Sequence, residues 1–146
     1  MPAGPTEEQL LMAAGSARHG LVLVRGQEAD LCLAVVDTND DGALLETVLL
    51  HRGADGTWSD AWSSGAALLG QGCSGGVAYA YGHAPDAGGV EIGFRGDVRP
   101  VPVNEHGWWL VLVAAEEGEG FDLSRAPNFR PIRWPTDDDA PPRIAG

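Results

Sequence analysis

The stretch Val90-Glu-Ile-Gly-Phe-Arg95, followed by Gly96-Asp97 and then Val98-Arg-Pro-Val-Pro-Val103, decides the fold. Val90, Ile92 and Phe94 alternate with Glu91, Gly93 and Arg95, so a strand here has one buried and one solvated face. Gly-Asp is a turn pair, and Val98 to Val103 reads as a second strand. Pro100 and Pro102 cannot donate to a ladder, so that second strand belongs at an edge. The pair is a hairpin, and the same punctuation extends in both directions.

Upstream, Leu21 to Arg25 and Leu31 to Val36 are apolar throughout, Leu44 to Arg52 is a longer mixed run, and Thr57 to Trp62 follows a Gly-Ala-Asp-Gly turn. Ser63 to Gly76 reads as a loop of small residues, with Gly65 to Gly76 its glycine-rich part, and Val77 to Gly82 as the next strand. Downstream, Trp108 to Ala114 is apolar on both faces, as expected of a strand buried on both sides. Trp108 and Trp109 must point in opposite directions, so one of them needs a cover, for which the N-terminal helix and the strap around Trp134 are available. Phe121 to Leu123 can form a last strand.

Turn signals every 8 to 12 residues are the spacing of an all-β sandwich or barrel. The expectation is an antiparallel β-sandwich of seven to nine strands over 21–134, which resembles immunoglobulin-like architecture in strand spacing but lacks the Cys, Trp, Cys spacing of those domains. One short helix precedes it within 1–20. Pro5 to Gly15 carries Thr6 and Gln9 in capping-box positions and Gly15 as a stop. Residues 135–146, with Asp137, Asp138 and Asp139 in a row, read as a disordered acidic tail.

Composition narrows the function classes. In 146 residues there are 21 Gly and 10 Pro, and 21 acidic against 9 basic residues give a net charge of -12. Such a charge repels nucleic acid and anionic membranes and suits a protein partner, in particular a basic one. No run is long and apolar enough to span a bilayer, and the acidic Met1 to Leu11 is unlike a signal peptide, so a cytoplasmic location is expected. Two cysteines, Cys32 and Cys73, cannot form a disulfide framework.

Several motifs carry candidate chemistry. Gly72-Cys-Ser-Gly-Gly76 fits the nucleophile template G-x-S-x-G and is similar to the Gly-Asp-Ser-Gly-Gly of trypsin-like serine proteases over those five residues. That resemblance implies Ser74 as nucleophile with His51 and Asp60 as partners. The overlapping Gly70-x-Gly-x-x-Gly75 matches a dinucleotide fingerprint without the helix that fingerprint requires. Asp37, Asn39 and Asp41 match the first half of a calcium loop ending at Gly42, but Val48 stands where a bidentate Glu is needed. His19, His51, His83 and His106 have no metal-clamp spacing.

Trp58 and Trp62 share a face of a regular strand with Asp60 between them, a layout for stacking on sugar rings. Tyr79 and Tyr81 share a face opposite Ala78, Ala80 and Gly82, and that small face invites close approach by another chain. Arg95-Gly-Asp97 is an adhesion tripeptide and also a plain turn. The expected function is therefore a binding or accessory module acting through protein contacts, with no cofactor and with the possibility of a homo-oligomer. Carbohydrate binding through Trp58, Asp60 and Trp62 is the alternative, and a small serine hydrolase the third reading.

Overall fold

The computed structural model describes residues 4–15, 20–40 and 45–128. The chain is mostly strand, with one short helix at its start. Helix α1 spans Glu7–Ala13. Nine strands follow among the described residues: β1 Leu21–Glu28, β2 Leu31–Asp37, β3 Leu45–Arg52, β4 Trp58–Gly65, β5 Leu69–Ser74, β6 Val77–His83, β7 Gly89–Phe94, β8 Asp97–Pro102 and β9 Trp108–Ala114.

The capping box forms as expected. Gln9 N donates to Thr6 Oγ1 at 3.1 Å and Thr6 N donates to Gln9 Oε1 at 2.8 Å. Gly15 ends the helix at φ 74, a left-handed conformation natural to glycine. The helix is anchored by Leu10, which is fully buried against Cys32, Ala34, Val36, Val48, Leu50 and Trp58.

All ladders are antiparallel. The strand orders are β1-β2-β3-β4, β5-β6-β9 and β7-β8. Successive strands are neighbours throughout the first sheet, a meander and not the crossed connections of an immunoglobulin domain. Side-chain alternation sorts the apolar residues into three layers of core. Leu33, Val35 and Leu49 of the first sheet meet Tyr81 and Trp108 of the second, with Trp62, Tyr79, Leu110 and Leu112 packed around them. The other face of the first sheet carries α1. The other face of the second sheet, Ala78, Ala80 and Trp109, is covered by Val90, Ile92, Phe94 and Val101 of the β7-β8 hairpin and by Phe121, Leu123 and Ala126.

This arrangement explains why β2 and β9 read as apolar on both faces: each lies between two layers. It also shows what covers Trp109 among the described residues. The hairpin and the segment from Phe121 lie over it, while the helix packs on the first sheet. The small face of β6 is closed in the same way: Trp109 lies on Gly82, where a Cβ would sit 2.6 Å from its Nε1, so no second chain is needed there.

The two sheets approach along one seam. Gly26 of β1 lies directly under Leu110 and Leu112 of β9, leaving no room for a side chain. At the start of the seam Asn104 Nδ2 donates to Leu23 O at 2.7 Å, beside the irregularity between Val22 and Val24. Asn104 Oδ1 accepts from His106 N and Trp108 N, both at 3.0 Å, which fixes the turn into β9.

The expected loop from Ser63 to Gly76 is largely strand. β4 runs on to Gly65 and Leu69–Ser74 forms β5. Glycine reads as a breaker because it has nothing to pack, yet Gly70 stands opposite Tyr81 and Gly72 opposite Tyr79. The tyrosine side chains fold back over those glycines and fill the space a Cβ would take. Gly75 and Gly76, at φ 57 and 79, form the two-residue turn into β6. Phe121 to Leu123 is not a full strand: it makes a single antiparallel bridge, Gly93 to Asp122. Residues 129–146, with Trp134 and the acidic tail 135–146, lie outside the described residues.

Candidate functional site

The geometry separates the residues of the hydrolase reading. Ser74 ends β5 in the second sheet, and the glycines around it serve the tyrosine contacts and the turn, with no following helix to build a nucleophile elbow. His51 lies on β3, and its ring contacts Ser59 Oγ at 3.4 Å. Asp60 stands opposite Leu50 and lines a small cleft with Gln9, Met12, Ala13 and Trp58 on the helix side of the first sheet. His51 and Asp60 therefore face away from each other, because neighbouring strand positions alternate.

Asp37 is buried at the end of β2, Asn39 is exposed, and Asp41 lies outside the described residues. Among the described residues no group of three His, Cys, Asp or Glu could hold a metal ion. His83 stacks on Trp108 with ring centroids 4.9 Å apart, and His106 lies 3.6 Å from Glu105. The cysteines are free thiols, and burial pushes the Cys32 thiol up, against the opposing effect of nearby Arg25. Arg95 and Gly96, at φ 53 and 82, make the hairpin turn, and the Arg95 guanidinium is held by both oxygens of Glu119 at 2.6 Å. The adhesion tripeptide is thus a turn with its arginine engaged.

The aromatic candidates divide. The β3-β4 register slips between Leu49 and Leu50, so Leu49 stands opposite Trp62 and Leu50 opposite Asp60, with Ala61 left over as a bulge. One extra residue reverses the side-chain alternation. Trp58 consequently packs under the helix, 8% exposed, while Trp62 turns to the opposite face. The shared-face platform of Trp58, Asp60 and Trp62 does not form. Trp62 instead meets Tyr79, with ring centroids 6.1 Å apart, and Tyr81 lies buried beside them. Burial, with Tyr81 and Cys73 nearby, raises the Tyr79 phenol above its ordinary range. Three of the five expected binding residues, Trp62, Tyr79 and Tyr81, come together.

They meet between β4 of the first sheet and β6 of the second. β4 and β5 end their respective sheets and share no ladder. Other edges are managed. β1 and β9 lie along one another and are tied through Asn104. β8 carries its two prolines. The β5 side chain Gln71 exchanges two hydrogen bonds with the backbone of Phe121, at 3.0 and 2.8 Å, and Asp122 in turn bridges β7.

The end of β4, Ser63 to Gly65, has no such cover among the described residues. Ala66 N donates to Leu45 O at 2.9 Å, so Ser64 and Trp62 point their backbone groups at β3 by the two-residue alternation of a strand, and Ser63 and Gly65 present theirs outward. The side chains here are small and exposed: Ser63, Ser64, Gly65 and Ala67, with Leu68 49% exposed at the end of the corner.

One property of this corner was legible in the sequence. From Ala61 to Pro85 there is no Asp, Glu, Lys or Arg, although 30 of the 146 residues are of these types. Burial accounts for β6, but not for the exposed positions of β4, the connection and β5. A groove of about 530 Å³ beside the seam is lined by Glu7, Arg25, Glu105 and His106 among others and assembles no catalytic set. No helix among the described residues is long and apolar enough to cross a membrane. Compared with protein-family models, curated proteins and solved structures, the chain matches none.

Proposed function

We propose that this protein is a non-enzymatic binding module that acts in the cytoplasm through protein contacts, and that its contact site is the open β4-β5 corner. The observation that carries this reading is the uncharged, exposed end of β4, Ser63 to Gly65, in a chain of net charge -12. An unpaired edge offers a row of backbone donors and acceptors to an extended segment, while depletion of charge is the compositional mark of an interface centre. Half-buried Trp62 and Tyr79 supply aromatic surface beside that edge. A basic partner would be steered by the charge of the whole molecule, but at the corner it would meet no carboxylate.

The test is site-specific photocrosslinking in lysate of the source organism, with the photoreactive group at Ser63 and, as control, at Ser124. Protein adducts from position 63 and not from 124 are expected. Equal labelling from both positions, or none from 63, would overturn the assignment.

A further inference from the structure

Resting on that reading, we infer that the occupant of the β4 edge is a second copy of this chain, paired antiparallel across a two-fold axis at Ser64. Two features select it. First, two copies carry 21 acidic and 9 basic residues each and repel over most of their surfaces. The exposed edge within Ala61 to Pro85 is a place where they can approach without carboxylates meeting. Second, the outward backbone groups are self-complementary. Ser63 and Gly65 are the residues that face away from β3, and they flank Ser64 symmetrically.

Placing Ser64 opposite Ser64 of the second copy sets Ser63 against its Gly65 and Gly65 against its Ser63, two pairs that each exchange N-H to O=C bonds in an antiparallel ladder. The first sheet then continues through the axis as eight strands. Asp60, the one carboxylate of β4, lies before the bulge at Ala61 and so outside the paired segment. No bulge interrupts the paired segment, since the slipped residue Ala61 lies before it.

The register makes a prediction that edge pairing in general does not. Side chains directly opposite each other across an antiparallel pair interact, and like charges there are destabilising. Ser64→Glu and Ser64→Lys each keep every backbone bond and place a surface charge at an exposed position. By light scattering after size exclusion, the wild type is expected to reach twice the 15.3 kDa of one chain as loading concentration rises. Each Ser64 variant alone is expected to hold the mass of one chain, and an equimolar mixture of the two to recover the doubled mass.

Amide exchange at Ser63 and Gly65 should slow with concentration in the wild type. Ser63→Pro, which removes an outward N-H and no bond to β3, should abolish the doubling with an unchanged circular dichroism spectrum. A single-chain mass for the wild type at every concentration overturns the proposal, as does doubling that survives in both Ser64 variants, a mixture that fails to pair, or protection of Ser63 and Gly65 that is independent of concentration. A monomeric wild type whose Ser63 still crosslinks to another protein in lysate removes the second copy and leaves the edge as a protein site. Failure of both removes both readings.

Discussion

At Gly70 and Gly72 the side chain that fills the space belongs to the facing strand. A methyl group at Gly70 would come within 2.5 Å of the Tyr81 hydroxyl, and Tyr81 is buried. Gly70→Ala is therefore expected to destabilise by about 1–3 kcal/mol, the usual cost of overpacking. Gly72→Ala meets Tyr79, which is half-buried and can swing outward, so a smaller loss is expected. Urea unfolding of the two variants beside the wild type measures the order. A second prediction concerns Glu119, whose carboxyl is drawn down to about 2 by the Arg95 guanidinium and by a hydrogen bond from the Glu116 backbone. Its folded value lies below the ordinary 4.5, so the stability it contributes is present above pH 4.5 and is lost as pH falls toward 2. The thermal midpoint of Glu119→Gln should lie below that of the wild type at pH 6 and converge with it near pH 2. The pair is exposed, so the difference is expected to be small.

Among the elements, α1 and the β1-β9 seam are the parts whose removal is simplest to read. Thr6→Ala removes the Oγ1 that accepts from Gln9 N, one of the two reciprocal bonds of the capping box, and should cost about 1 kcal/mol. Leu10→Ala leaves a cavity under the helix and should cost about 2–5 kcal/mol. Asn104→Ala removes the donor to Leu23 O and the acceptor for two amides of the turn, for a loss of about 1–3 kcal/mol at the net value of such bonds. Denaturant curves give all three. Hydrogen exchange should show Asn104→Ala loosening β1 before it affects β2 and β3, because β1 has a strand partner on one side only.

For the whole molecule the deciding quantity is where the charge is missing. A net charge of -12 opposes any self-association at low ionic strength, and salt screens that repulsion with a length of about 10 Å at 0.1 M. If the second copy meets at the uncharged end of β4, the doubled mass should appear at lower protein concentration as sodium chloride is raised. Association that weakens with salt would instead mean that opposite charges hold the contact. Sedimentation equilibrium at two ionic strengths distinguishes these outcomes.

The all-β class, the capped helix, the hairpin ending in Arg95 and Gly96, and the edge position of Val98 to Val103 were legible from alternation, capping residues and proline, because each depends on residues near in sequence. The uncharged run from Ala61 to Pro85 was equally open to reading. Three things were not. β5 was hidden because Gly70 and Gly72 are packed by tyrosines that arrive from another strand. The direction of Trp58 was hidden because one unpaired residue, Ala61, reverses an alternation that regular spacing assumes. The cover of Trp109 was hidden because it comes from a hairpin inserted between β6 and β9. Local pattern decides which residues can be strand. Pairing register and the choice of neighbour, which bring distant side chains into one space, are decided only when the sheets close on each other.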